Sequence, residues 1–167
     1  MLMDEPVIIE REESRVVGIG GNFISVLSPD HTNMPTIPEL WDRYQQRSGE
    51  IAGRISNASL GVVSGVPAEQ RTHDSELHYL AGAEVKSSEE IPEGMKAGLL
   101  PAGSYAKFTY RGHITRIGSA YGFIYGDWFP RSGYGRTSGP EFELYDERFR
   151  HDSDTSELDI YIPVVPA

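Results

Sequence analysis

Runs of apolar residues in the first 86 positions predict four strands and one helix. The β-rich runs lie at positions 7–9, 15–24, 59–66 and 75–85. Between the second and third runs, Leu40, Trp41 and Tyr44 lie on one side of a predicted helix over 36–49. Thr36 and Glu39 have the spacing of a capping box, which places the helix start at Thr36, with Pro38 in the first turn.

The same order of elements recurs after a polar connector at 87–97. Strands are predicted at 103–111, 141–149 and 156–164, with a helix over 115–128 and a loop over 130–140. This repetition predicts one domain over 1–167, made of halves at about 5–86 and 98–165. The predicted fold is α+β, with duplicated βαββ halves in pseudo-twofold symmetry, antiparallel sheets and a central ligand groove.

Aromatic residues concentrate between Tyr121 and Tyr145, where eight of the chain's 17 fall within 25 positions. Glu143 lies among them, between two apolar neighbours. Such a carboxylate is either an outward-facing strand residue or an acid in an aromatic cavity. In the cavity, Tyr145 lies on the same face of the strand as Glu143 and would donate a hydrogen bond to it.

The helix over 115–128 carries Gly118, Gly122 and Gly126 at four-residue spacing, which puts them on one face. Glycine inside a helix costs about 0.5–1 kcal/mol relative to alanine. We therefore expect a sheet or a flat ligand to approach this face closely. Trp128 ends the predicted helix and is either core or the wall of a cavity.

The overall composition excludes several kinds of site. The net charge of −10 argues against direct nucleic-acid binding, and no apolar run is long enough to span a membrane. There is no cysteine, and the five histidines lack the spacing of helix-borne metal ligands. Nucleophile-elbow and phosphate-loop motifs are also absent. We expect a cytoplasmic protein without a cofactor or metal.

Five segments resemble the GyrI-like small-molecule-binding superfamily, also described as the AraC-type effector-binding domain. The segments are TIPELWDRY at 36–44, LPAGSYAKFTYRG at 100–112, AYGFIYGDWFPRSGY at 120–134, PEFELYDERF at 140–149 and SELDIYIPV at 156–164. The resemblance implies two βαββ halves around a groove that binds hydrophobic, often cationic, organic molecules. It also implies that Glu143 meets the positive charge and that Trp128 forms an aromatic wall. Less specific matches extend the implied site to Trp41, Tyr110, Tyr125, Tyr145 and Tyr161.

Many relatives carry a DNA-binding helix-turn-helix before this domain, whereas here the first strand is predicted at about residue 6. The sequence therefore predicts a stand-alone form, in which a role in transcription needs another protein. The leading hypothesis for its function is binding of a small hydrophobic or cationic ligand, for sequestration or sensing. One alternative is a hydrolase of strained electrophilic molecules that uses Glu143. Another is a gyrase-inhibitor-type protein that binds a partner protein.

Overall fold

The computed structural model describes residues 2–24, 28–30, 32–65 and 75–167. The strands are β1 (Leu2–Met3), β2 (Val7–Arg11), β3 (Ser14–Ile24), β4 (Ser59–Gly65), β5 (Glu76–Val85), β6 (Lys96–Leu100), β7 (Gly103–Arg111), β8 (Tyr134–Arg136), β9 (Glu141–Tyr145) and β10 (Glu157–Pro166). The helices are α1 (Asn33–Arg47), α2 (Ile117–Phe123) and α3 (Phe129–Ser132). Short 3-10 turns cover Ser48–Glu50 and Ile114–Arg116, and a π-helical turn over Ile124–Trp128 joins α2 to α3.

The described strands form one antiparallel sheet with the order β1-β7-β10-β9-β4-β5-β3-β6, in which β2 also pairs with β7 and β8 with β10. The chain is therefore α+β, as predicted. β2 precedes β3 in sequence but pairs with β7, and β6 precedes β7 but pairs with β3. The first strand of each half, β2 or β6, is thus paired with a strand of the other half. β4 and β9 meet at the centre, where the two halves join.

Helices α1 and α2 pack on one face of this sheet, one over each half. The apolar side of α1, formed by Leu40 and Tyr44, packs on alternate residues of β3 and β5. The apolar side of α2 and the π-helical turn, formed by Ala120, Ile124 and Trp128, packs on alternate residues of β7 and β10. The central strands β4 and β9 therefore lie on this face between α1 and α2, and we call the region over these two strands the groove.

A third cluster fills the opposite face of the sheet. Phe142 stacks on Tyr161 there with a centroid separation of 4.5 Å, and Tyr105 packs edge-on against both rings. The guanidinium of Arg11 lies 4.9 Å from the Phe142 ring centroid and pairs with the carboxylate of Glu84 at 2.7 Å. Alternation along β9 thus sends Phe142 and Glu143 to different faces of the sheet.

Several predicted boundaries were wrong. α1 begins at Asn33, so Thr36 and Glu39 do not form a capping box; the hydroxyl of Thr32, the residue before the helix, accepts from the Ile24 amide instead. The second helical segment continues beyond Trp128 to Ser132, because only Gly133 supplies the left-handed conformation (φ 77°) that ends it.

The remaining differences concern strands. The strand predicted over 141–149 ends at Tyr145, since a turn follows in which the Phe149 amide donates to the Asp146 carbonyl. The strands β1, β6 and β8 were missed; β6 begins inside the predicted connector and β8 inside the predicted loop. The last position of the strand predicted over 59–66 lies outside the described residues. No helix in the described part of the chain is long and apolar enough to cross a membrane.

The glycine stripe of the second helical segment does not pack on the sheet. A Cβ atom built at Gly118, Gly122 or Gly126 would meet no atom within 4 Å, apart from near neighbours in the helix itself. All three residues are exposed. The prediction of close sheet packing was therefore wrong.

Gly122→Ala is expected to stabilise the protein. The site has open space and no positive φ, so alanine gains about 0.5–1 kcal/mol of helix propensity without a clash. Urea unfolding followed by circular dichroism measures the change. A loss of stability would show that this face is covered. A loss of ligand affinity would show that the glycines contact the ligand.

Candidate functional site

The candidate site is built around Glu143 at the centre of the sheet. Its register partners are Gly61 on β4 and Ile160 on β10, so Glu143 is flanked by paired strands on both sides. Only 8% of the residue is exposed. The carboxylate lies on the helix-covered face, on the floor of the groove between α1 and α2.

Three tyrosine hydroxyls donate hydrogen bonds to this carboxylate, each from a different element. Tyr145, two residues along β9, donates to Oε1 at 2.7 Å, and Tyr79 of β5 donates to the same oxygen at 3.3 Å. Tyr121 of α2 donates to Oε2 at 2.6 Å. Both halves of the protein therefore contribute to holding one buried anion.

Tyr79 reaches Glu143 because Gly61 has no side chain. A Cβ atom at Gly61 would lie 2.0 Å from the Tyr79 hydroxyl oxygen and 3.3 Å from the Trp41 ring. The indole N–H of Trp41 donates to this hydroxyl at 3.0 Å, and the hydroxyl in turn donates to Glu143. A hydrogen-bonded chain thus runs from α1, over Gly61, to the carboxylate.

Aromatic rings surround the acid. Trp41 packs edge-on against Tyr145 and Tyr79, with centroid separations of 5.1 and 6.3 Å. Trp41 is partly buried, whereas Tyr79 is only 2% exposed. We call Trp41, Tyr79, Tyr121 and Tyr145 the aromatic box. Its rings and its acid together have the chemistry that recognises an apolar cation.

The electrostatics of the site follow from its burial. Burial raises the pKa of the Glu143 carboxyl above its ordinary value of 4.5; hydrogen bonds from Tyr121 and Tyr145 oppose this rise, and the neighbouring Glu141 adds to it. Burial also raises the pKa of the Tyr79, Tyr121 and Tyr145 hydroxyls well above 10. The hydroxyls therefore stay protonated and remain donors at physiological pH.

A second buried carboxylate, Glu141, lies two residues before Glu143 on the same face of β9. The Tyr125 hydroxyl donates to Glu141 Oε2 at 2.5 Å, and the Arg136 guanidinium lies 3.8 Å from the same oxygen. Arg136 Nε also donates to the Tyr125 hydroxyl at 3.1 Å. Burial foremost, and then the negative charge of Glu141, raises the pKa of Tyr125.

The structure brings together four of the residues predicted for the site. Glu143, Tyr145 and Trp41 lie in one connected cluster, and Tyr125 lies beside it on Glu141. Sequence reasoning missed Tyr79, Tyr121, Glu141 and Arg136 as site residues. Tyr121 lies four residues before Tyr125 and so on the same helix face, a spacing that would have indicated it.

Three predicted site residues lie elsewhere. Trp128 is buried in the core of the second half, edge-on to Phe108 at 5.2 Å. Tyr110 donates to the His113 carbonyl in the same core. Tyr161 pairs with Phe142 in register and therefore faces the side of the sheet opposite to Glu143. Within the part of the chain that the structure describes, no hydrogen bond or ring contact joins these three residues to Glu143. A ligand-binding role for Trp128 and Tyr110 stays a prediction. Tyr161 faces the other side of the sheet and does not reach the acid.

Comparison with known proteins identifies the class of domain. Over 159 residues the chain is 35% identical to the transcriptional regulator BrlR of Pseudomonas aeruginosa; the match covers 94% of this chain and 54% of BrlR. The chain therefore spans about half the length of that relative. Over 165 residues it is 27% identical to a DNA gyrase inhibitor of Erwinia billingiae, covering 96% of this chain and 97% of the inhibitor.

The fold also matches that of a solved protein with a bound ligand. The structure of SAV2435 bound to tetraphenylphosphonium superposes with a TM-score of 0.70 at 18% identity, covering 97% of this chain and 94% of that chain. Residues 4–165 match the family described as the GyrI-like small molecule binding domain. This chain is a member of the GyrI-like small-molecule-binding family.

Proposed function

We propose that this domain binds hydrophobic organic cations and that Glu143 meets their positive charge. The proposal rests on the kind of partners that Glu143 has. Its hydrogen-bond donors are tyrosine hydroxyls, and none of the ion pairs among the described residues involves it. A buried carboxylate normally has a cationic partner, because burying an unpaired charge is costly. A ligand cation would supply that partner.

The aromatic box would add affinity without requiring one ligand shape. Each cation–π contact contributes about 0.5–2 kcal/mol, more as water is excluded. The polarisable faces of Trp41 and Tyr145 fit flat or branched aryl groups equally well. The tetraphenylphosphonium bound to SAV2435 is a cation of this kind, and it supports the same ligand class here.

Two ligands of one shape and opposite charge test the proposal. We expect isothermal titration calorimetry to detect binding of tetraphenylphosphonium and no binding of tetraphenylborate, its anionic isostere. An acid in an aromatic box attracts the cation and repels the anion. Equal binding of the two ions would show that the groove recognises shape alone. Binding of neither would contradict the proposed ligand class.

Affinity for a permanent cation is expected to fall as the pH is lowered. Tetraphenylphosphonium does not titrate, whereas Glu143 gains a proton as the pH drops through its raised pKa and then loses its charge. Below that pKa, the affinity should decline by up to about tenfold per pH unit. Titrations from pH 8 down to the lowest pH at which the protein stays folded measure this slope. A Glu143→Gln variant should give a flat profile; a wild-type profile equally flat would contradict the assignment.

A second candidate, hydrolysis of strained electrophilic molecules, is favoured by the raised pKa of Glu143, which suits a general acid. Against it, Glu143 is only 8% exposed and both its oxygens already accept hydrogen bonds from tyrosines, which disfavours a water bound beside the acid. Mass spectrometry after incubation with a cyclopropane-bearing alkylator separates the candidates. We expect unchanged ligand; a product gaining water that disappears in Glu143→Gln would establish the enzyme.

The proposed role in the cell is sequestration or sensing of such cations in the cytoplasm. The net charge of −10 supports a domain that does not itself bind nucleic acid. Any effect on transcription would then pass through other protein segments or partners. Fluorescence anisotropy with a labelled DNA duplex at low salt tests this, and we expect no binding by residues 1–167.

A further inference from the structure

Two buried carboxylates on β9 share the floor of the groove. Glu141 and Glu143 are 5% and 8% exposed and lie two residues apart on one face of the strand. Their Cα atoms are therefore about 6.6 Å apart. A groove with two unpaired negative charges at this spacing would suit a dication, whereas a groove with one would suit a monocation.

The two acids differ in their partners. Glu143 is held by neutral tyrosine hydroxyls, whereas Glu141 forms an ion pair with Arg136 at 3.8 Å in addition to its bond from Tyr125. The Arg136 side chain is itself only 7% exposed. Burial of both members makes this pair respond little to salt and strongly to the loss of either partner.

The position of Arg136 is fixed by two of its three nitrogens. Nε donates to the Tyr125 hydroxyl at 3.1 Å, and one terminal nitrogen donates to the Thr137 carbonyl at 2.5 Å. The other terminal nitrogen is buried, has no hydrogen-bond partner among the described residues and faces Glu141 across 3.8 Å. Towards Glu141 the guanidinium therefore acts as a fixed positive charge rather than as a hydrogen-bond donor.

We propose that Arg136 determines the charge selectivity of the site. By offsetting Glu141 it leaves Glu143 as the acid of β9 that a ligand cation meets, so that the groove selects monocations over dications. This inference rests on the proposed binding of organic cations. If Arg136 only connected β8 to the helical segment, its replacement would not change which ligand charge is preferred.

The test compares two ligands that differ only in charge. Both are triphenylphosphonium salts with a short alkyl tail; the tail ends in trimethylammonium in the dication and in the uncharged isostere, tert-butyl, in the monocation. Calorimetry gives the ratio of the two dissociation constants. We expect wild type to bind the dication no more tightly than the monocation. Arg136→Met should raise the relative affinity for the dication by about tenfold.

Three further variants isolate charge from packing. Arg136→Lys keeps the charge and should retain the wild-type ratio. Arg136→Met with Glu141→Gln removes both charges and should restore that ratio. Glu141→Gln alone leaves Arg136 unpaired near the ligand and should lower the relative affinity for the dication by about tenfold. This last variant tests the inference even if Arg136→Met does not fold.

An unchanged ratio in folded Arg136→Met, or in folded Glu141→Gln, would overturn the inference while leaving the proposed function intact. Failure of wild type to bind either phosphonium would instead overturn the proposed function and the inference that rests on it. Far-ultraviolet circular dichroism and urea unfolding establish that each variant is folded. The two failures are therefore distinguishable.

Discussion

Glu143→Gln is expected to weaken binding of tetraphenylphosphonium by about tenfold to a hundredfold and to stabilise the unliganded protein. The loss of affinity follows from Coulomb attraction, which at 4 Å and an effective dielectric constant of 20 amounts to about 4 kcal/mol before the ligand's own desolvation is subtracted. The gain in stability follows from removing a buried charge. It should be about 1 kcal/mol, as at other sites where function costs stability.

The gain in stability should depend on pH in a definite direction. Because the folded-state pKa of Glu143 is raised, its contribution to stability is fully present below pH 4.5 and is lost as the pH rises through the folded-state pKa. Glutamine avoids that loss. The difference in unfolding free energy between the variant and wild type should therefore be larger at pH 8 than at pH 5.

The matched control is Glu147→Gln, which changes the net charge equally at an exposed position four residues along the chain. It should alter neither the affinity nor the stability by more than about 0.5 kcal/mol. Equal affinities of wild type and Glu143→Gln would refute a charge-recognition role for Glu143. A variant less stable than wild type at pH 8 would show that the ionised carboxylate stabilises the fold.

Gly61→Ala is expected to have the largest effect on stability among the site variants, a loss of about 1–3 kcal/mol. Its Cβ atom would lie 2.0 Å from the Tyr79 hydroxyl oxygen and 2.6 Å from the adjoining ring carbon. Tyr79 is buried between the sheet and α1 and cannot swing away freely. The ring must shift, which breaks the chain of hydrogen bonds from Trp41 to Glu143.

Urea unfolding and titration with tetraphenylphosphonium measure both consequences. Gly122→Ala, the same substitution at an open position, is the control and should be stabilising. Adding Tyr79→Phe to Gly61→Ala removes the closest clashing atom and should recover part of the lost stability. No recovery would show that the alanine acts through the backbone of β4 rather than through Tyr79.

Local sequence patterns predicted which residues of one strand or helix share a face. Which elements meet at the site depends on long-range strand pairing. Alternation along β9 correctly put Glu143 and Tyr145 on one face, since strand periodicity is a property of neighbouring residues. Tyr79 reaches the acid only because β4 lies between β5 and β9 and places Gly61, the register partner of Glu143, under the Tyr79 hydroxyl. No local signal in β5 specifies that order of strands.

The same distinction explains the errors. Tyr161 lies on the face of the sheet away from Glu143 because β10 pairs with β9 in a register that places Tyr161 opposite Phe142. Nothing local in the sequence specifies that register. The exchange of β2 and β6 between halves likewise joins segments far apart in the chain. The spacing of the three glycines correctly placed them on one side of the helical segment. That side faces solvent because the apolar side, formed by Ala120, Ile124 and Trp128, packs on the sheet.

A crystal structure of the protein with tetraphenylphosphonium would show whether Glu143 meets the ligand's charge. We expect the phosphonium in the groove between α1 and α2, with its charge centre within about 6 Å of the Glu143 carboxylate and its phenyl rings against Trp41 and Tyr145. A phosphonium bound on the opposite face of the sheet, or in the groove with its charge centre far beyond about 6 Å from the Glu143 carboxylate, would contradict the proposed role of Glu143.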